Sequence, residues 1–228
     1  MRIAISTRRI TDLVHGEARD ALSEDWYRYL YTTWPEIVLL PLLNLPGEVE
    51  RWASNLEIDA AILSNGNDWG DCAVRDETER KLVEWCRQRS RPVLGVCRGF
   101  QALNVLAGGA VETDIRSVCG QSHGGTRHKV SLTSPLFSAL AGDDQIEVNS
   151  YHDQGVTRRG LAASLVPFAL SDGDVVEGFY HPTAAFLAIQ WHPERPGPSA
   201  GFDTALISAF LTRGAFWTQP ELETRCSP

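Results

Sequence analysis

Short apolar runs alternate with amphipathic stretches along the first half of the chain. "RIAIS" reads as strand, residues 20 to 33 as helix, "EIVLLPL" as strand, "VERWASN" as helix and "DAAILS" as strand. Residues 76 to 90, "DETERKLVEWCRQRS", set Leu82, Val83, Trp85 and Cys86 among charges, the pattern of a surface helix, and the strand "PVLGV" follows at once. Strands and helices in such alternation predict an α/β sheet with helices on both faces. After residue 110 the apolar runs shorten to "HKVSL", "QIEVNS", "LVPFALS", "VVEGFYHP" and "AFLAIQWHP", cut by Gly, Asp and Pro turns, which predicts antiparallel additions to the sheet. "FDTALISAFLTRG" closes the fold as a helix stopped by Gly214, with a loose tail to Pro228. No internal repeat or linker divides the chain, so one domain over residues 1–228 is expected.

Composition narrows the partners. The chain has 228 residues, 43% of them hydrophobic, enough for one substantial core. A formal net charge of −8 opposes a broad phosphate-tracking surface, so no nucleic acid is expected and small molecules are the natural ligands. The longest apolar stretch, "IVLLPLL", is far too short for a membrane span, and "MRIAISTRRI" is too short for a signal peptide. Five cysteines, odd in number and widely spread, fit free thiols in a reducing cytoplasm.

One joint in the pattern carries chemistry. In "PVLGVCRGFQALNVLAGG" a strand runs into a turn and then a helix, and Cys97 sits on the turn between Gly95 and Gly99. A sharp strand-to-helix bend lifts the side chain of its central residue out of the sheet, and flanking glycines relieve the crowding. The helix N-terminus favours a thiolate there, and the backbone N–H of Arg98 is placed to hold an oxyanion. A base is also at hand: "AIQWHPER" puts His192 and Glu194 two residues apart at another strand end, an arrangement for a Cys, His, Glu relay.

"GVCRGFQ", "GG" at 108 to 109, "VNSYHDQGV" and "AIQWHPE", in this order, resemble the class I glutamine amidotransferase superfamily, and within it the γ-glutamyl hydrolase-like branch. The resemblance runs from "RIAIST" to the last helix. It implies a flavodoxin-like mixed, mostly parallel sheet with Cys97, His192 and Glu194 as catalytic triad. It also implies a second oxyanion donor in "LSNGNDWGD", where Asn65 and Gly66 stand in place of the usual glycine pair. The N–H of Gly66 is preferred there, with that of Asn67 as the alternative and Asn67 itself at the substrate. Gln101 and the Ser150, Tyr151, His152 segment would hold the glutamyl amino and carboxylate groups. For His152, ligand contact and a hydrogen-bonded loop role stay equally open.

A γ-glutamyl amide is the substrate class so implied, hydrolysed through a thioester. "SNGNDWGD", "DALSEDWY" and "WHPER" resemble a branch that removes γ-glutamyl from a cytidine-diphosphate amidate made for capsular-sugar decoration. Arg8 and Arg9, after the first strand, could grip a carboxylate or phosphate, against a reading as a solvated pair. Trp26 and Trp69 could wall the leaving-group pocket, against a reading as core. The alternative function is a glutaminase subunit passing ammonia to a separate synthetase partner. A binding module with a silent site is a third, opposed by the intact Cys97, His192 and Glu194. Cys119, His123 and His128 in "CGQSHGGTRH" lack the partner pair of a structural zinc, so no metal and no other cofactor is expected; the resemblance instead places His123 and His128 just after a strand at "GGAVETDI".

Overall fold

The computed structural model describes residues 1–12 and 14–218; of the loose tail expected after Gly214, residues 219 onward lie outside the described residues, while Phe216–Thr218 form a helical turn with Phe216 buried in the core. Strand β1 (Arg2–Ser6) leads into a hairpin of β2 (Arg8–Thr11) and β3 (Ala18–Ala21) that stands apart from the main sheet. Helix α1 (Glu24–Thr33) follows, then β4 (Val38–Leu42), α2 (Val49–Asn55), β5 (Ala60–Leu63), α3 (Ala73–Gln88), β6 (Val93–Val96) and α4 (Arg98–Leu106). The second half runs α5 (Ile115–Cys119), β7 (Gly124–Leu132), α6 (Pro135–Ala141), β8 (Gln145–Tyr151), β9 (Val156–Thr157), β10 (Val166–Ser171), β11 (Val175–Tyr180), β12 (Phe186–Ile189) and α7 (Ala200–Arg213).

The main sheet is mixed, in the order β4-β1-β5-β6-β12-β11-β10-β7-β8. From β4 to β12 every pairing is parallel, and from β12 onward every pairing is antiparallel. β5 and β6 are buried along their whole length, as strands covered on both faces must be. Two apolar layers cover the sheet. Trp26, Leu30, Leu206 and Phe210 of α1 and α7 pack on one face, and Ala53, Leu82, Cys86 and Phe100 of α2, α3 and α4 on the other. Each large side chain so buried contributes about 1.5–3 kcal/mol. Among the described residues no helix is long and apolar enough to cross a membrane.

Three expectations are corrected. The helix predicted from residue 20 begins at Glu24, because the Ser23 hydroxyl accepts from the Asp25 N–H and caps it, while Asp20 lies on β3 and accepts from the Asn44 backbone and side chain. "GGAVETDI" is no strand: Glu112 makes a single bridge to Gly155 and Ile115 already starts α5. Helix α3 is no simple surface helix either, since Arg75 and Glu79 are wholly buried.

Parallel strands deliver their following loops to one edge of the sheet. The register sets Leu63 beside Gly95, and Val96 beside Ile189, so Ser64, Cys97 and Gln190 emerge together. α4 then packs so closely on β5 that a Cβ on Gly99 would overlap the Leu63 carbonyl. Backbone against backbone cannot yield. Gly99→Ala is therefore expected to lose about 3 kcal/mol in urea unfolding, whereas Gly47→Ala, with nothing within 4 Å of the added methyl, changes by less than about 0.5 kcal/mol.

Candidate active site

Cys97 occupies the bend between β6 and α4 with φ 53° and ψ −105°, left-handed backbone that a side chain rarely adopts. Neighbours on both sides enforce it. A Cβ on Gly95 would lie 2.6 Å from the Gly99 carbonyl oxygen, and the Cys97 N–H donates to the Ile189 carbonyl of β12 at 3.0 Å. The thiol is 9% exposed, so the bend presents it at a cleft and keeps the rest in the core. The first N–H groups of α4, Arg98 foremost, have no partner inside the helix and carry its positive end.

His192 comes off β12 on the adjoining strand. Its Nδ1 meets Glu194 Oε1 at 2.7 Å, with Pro193 between them shaping the turn. The backbone of His192 is clasped by one side chain, Asn149 of β8: its amide oxygen accepts from the His192 N–H, and its NH2 donates to the His192 carbonyl, both at 2.9 Å. Trp191, directly before, is anchored by its indole N–H to Asp203 of α7 at 2.7 Å. The ring can thus turn little. Its Nε2 makes no hydrogen bond among the described residues, and the Cys97 sulfur lies near enough to act on the ring's charge. Burial opposes charge on this imidazole, but Cys97 and Glu194 together outweigh burial and raise its pKa to about 9.

On the other side of Cys97 the loop after β5 is laced to one guanidinium. Arg75 donates to the carbonyls of Ser64 at 2.9 Å, Asn65 at 3.1 Å and Gly66 at 2.8 Å. In a trans peptide the N–H points opposite the carbonyl, so the N–H groups of Gly66 and Asn67 face away from Arg75. Neither donates to another backbone group among the described residues. Arg75 is itself fixed by Glu79 at 3.0 Å, and Glu79 with Asp76 also grips the buried Arg98 side chain, whose Nε donates to the Asn67 carbonyl at 3.1 Å. One ionic network therefore ties the turn after Cys97 to the loop facing it. Sequence reading missed Arg75, Asp76 and Glu79, since charges three and four apart look the same on a solvated helix face as on a buried one.

The model of the family described as Peptidase C26 matches residues 5–194, which takes in Cys97, the facing loop, His192 and Glu194. The chain belongs to the Peptidase C26 family. Its relatives mark it as an enzyme of the hydrolase or amidotransferase type. A Schizosaccharomyces pombe protein provisionally named a glutamine amidotransferase is 30% identical over 196 residues, 76% of each chain. The γ-glutamyl-CDP-amidate hydrolase of Campylobacter jejuni is 28% identical over 202 residues, 86% of this chain and 90% of its own. In fold, a Thermoplasma acidophilum protein provisionally described as a GMP synthase component superposes with TM-score 0.67 at 20% identity, over 99% of this chain and 98% of that one.

Around Cys97, His192 and Glu194 of this C26 chain the remaining predicted residues divide. Tyr151 sets its ring edge-on to His192 at 5.4 Å, and Arg195 lies over the other face of that tyrosine at 4.4 Å. Gln101 is buried, donating to the Gln154 carbonyl and to Gln190. Ser150 gives its hydroxyl to the His123 carbonyl at 2.6 Å, and the Asn67 side chain holds both backbone groups of Arg9, so these two serve the protein's own frame. His152 lies inside a cluster with His123 and Glu177; burial presses its pKa down to about 4, against the pull of Glu177, so the ring is neutral. Trp69 packs over the Arg98 guanidinium, whereas Trp26 is fully buried and bonds Asn65 from beneath, a core residue and no pocket wall.

The Arg8 guanidinium lies over Gly66, in the space a Cβ there would fill. It borders a cleft of about 280 Å³ shared with Ile10, Leu22, Ser64, Asn65 and Arg195. A larger hollow of about 400 Å³ is lined by Val83, Leu103, Leu165 and Phe179; neither lining includes Cys97, His192 or Glu194, but the smaller cleft is walled by Ser64 and Asn65 of the loop after β5 and by Arg195, next in sequence to Glu194.

The shifted His192 gives a measurable sign. Because the folded pKa of about 9 exceeds the ordinary 6.5, the charged ring stabilises the fold fully below pH 6.5, and that contribution is lost as pH rises through 9. A histidine NMR titration should find this midpoint near 9 and see it fall in Cys97→Ala, where a pull on the proton is gone. An unmoved midpoint would mean that sulfur and ring do not interact.

Proposed function

We propose that this chain is a cysteine-dependent hydrolase of γ-glutamyl amides whose leaving group is anionic, such as a nucleotide-linked amidate. The reading rests on one arrangement: a buried imidazole held by Glu194 on one nitrogen and facing the Cys97 sulfur with the other. Cys97 Sγ attacks the γ-glutamyl carbonyl carbon, and the oxygen takes the negative charge at the N–H groups of Arg98 and Gly66. His192 gives its proton to the departing nitrogen as the C–N bond breaks, leaving a thioester. Water enters, loses a proton to His192, attacks the thioester carbon and releases glutamate and the thiol. Removing one oxyanion donor in such a site costs on the order of 2.7–4 kcal/mol, which is why the lacing by Arg75 matters to rate.

The leaving group is read from charge. Arg8 and Arg195 both reach the cleft beside Ser64 and Asn65, and two guanidinium groups suit a phosphate or carboxylate better than ammonia. The Campylobacter relative's name points to the same class of substrate.

The test is glutamate release from purified protein given γ-glutamyl amides with neutral, carboxylate and nucleotide-linked leaving groups, beside glutamine. Anionic leaving groups should show the highest kcat/KM, Cys97→Ala should lose at least about 1000-fold in kcat while still binding, and Arg8→Ala should raise KM for anionic substrates only. Full turnover by Cys97→Ala would overturn the mechanism. Glutamine as the preferred substrate would replace it with the ammonia-donor reading and a synthetase partner.

A further inference from the structure

Behind the strand that carries His192, the antiparallel half of the sheet encloses four groups that the proposed hydrolysis leaves without a role. His123 stands at the start of β7 and His128 within it, His152 just past β8, and Glu177 in the middle of β11. His123 Nδ1 lies 3.4 Å from His152 Nε2 and 3.3 Å from Glu177 Oε1. His128 Nε2 lies 3.3 Å from that same oxygen, and His152 Nε2 3.9 Å from it. His123, His152 and Glu177 are each buried, and their ligand atoms fall within 4.8 Å of one another.

His123 Nδ1 and His152 Nε2 are aligned well enough for a hydrogen bond between them, but no ring nitrogen of the cluster makes one to the Glu177 carboxylate. Among the described residues the one hydrogen bond to Glu177 Oε1 is from the Ser171 hydroxyl, and Oε2 accepts none. Both ring nitrogens of the nearly buried His128 are also without a hydrogen bond there. The nitrogens approach the carboxylate without aiming N–H groups at its oxygen, as donors do when they converge on a point between them.

Tautomers agree. His152 Nδ1 faces the Gln154 carbonyl at 2.8 Å and so must carry its hydrogen, which leaves a lone pair on Nε2 toward the cluster. On the far side of His123, Nε2 is 3.5 Å from the sulfur of Cys119, whose thiol points to the Gln121 carbonyl, so that Nε2 also suits a hydrogen and Nδ1 a lone pair. With these tautomers two lone pairs face a buried carboxylate, and an ion between them would replace the hydrogen bond that the 3.4 Å contact otherwise makes. Outer N–H groups tied to a carbonyl are also how metal-bound histidines are oriented.

We propose that His123 Nδ1, His152 Nε2 and Glu177 Oε1 form a binding site for a divalent transition metal, zinc by ligand type, with His128 as the nearest group for the fourth position. Metal–nitrogen bonds of about 2.0–2.1 Å in a tetrahedron separate the ligand atoms by about 3.3–3.4 Å, close to three of the four spacings above. The site is closed to solvent and positions residues for catalysis without taking part in it: Tyr151 beside His192, and Gln154, whose carbonyl holds Gln101, flank His152. The "CGQSHGGTRH" spacing gave no zinc site because two of the three ligands come from strands far along the chain.

The purified full chain, stripped with chelator, is titrated with Zn²⁺ against a chromophoric competitor and then with Co²⁺. One equivalent of Zn²⁺ bound below micromolar Kd, a rise in Tm on loading, and tetrahedral visible bands for Co²⁺ are expected. Glu177→Gln should weaken Zn²⁺ at least about 100-fold; should that variant not fold, His152→Gln is read in its place. Less than a tenth of an equivalent bound by the wild type overturns the site. So does undiminished binding in a folded variant, because the ion would then sit elsewhere.

Discussion

The contact between α4 and β5 is the constraint from which the site follows. Gly99 lies against the Leu63 carbonyl with no room for a side chain, and this closeness forces the chain to turn within a single residue at Cys97. A looser packing would let the bend relax toward ordinary backbone and drop the sulfur back into the core. The strain, of order 1–3 kcal/mol, is held by hydrogen bonds from neighbours: the Cys97 N–H on Ile189 fixes the bend to β12, the strand that brings His192. Cys97, His192 and the loop that faces them are thus set by three adjacent parallel strands.

Electrostatics then decide which way each group points. Arg75, Glu79 and Arg98 are buried together, an arrangement that rarely adds stability over apolar packing of the same size. What it does add is direction. Three consecutive carbonyls turned to one guanidinium leave their amides no choice of side, and Asp76 and Glu79 hold the Arg98 guanidinium in the same network. Asn149 does the equivalent for His192, by gripping both backbone groups of that residue from a different strand.

What could be read from the sequence was what is local along it. The Gly95, Cys97, Gly99 bend and the His192, Pro193, Glu194 turn are each contained within a few residues, and their chemistry is visible in their spacing. The parallel half of the sheet was legible for the same reason, since alternating apolar runs and amphipathic helices repeat within short windows. Asn149, Arg75 and Glu177 were not. Each acts on residues outside its own strand or helix, and each looks unremarkable beside its neighbours until the strands are paired. Helix α1 shows the smaller failure: nothing in the apolar pattern of "RDALSEDWY" fixes the start, and Ser23 decides it through one cap.

The charge of the cleft runs against that of the whole molecule. A protein of net charge −8 repels anions at long range, so a cleft bordered by Arg8 and Arg195 is a local reversal of sign in an acidic molecule. Arg195 cannot be assigned to Glu194 alone, because their nearest approach is 4.0 Å and its guanidinium stacks on Tyr151 instead. Glu194 meanwhile keeps its close contact for His192 at 2.7 Å. The cation at the rim and the carboxylate behind the ring therefore do not cancel: one gives the cleft a local positive wall, and the other helps to keep the His192 ring protonated.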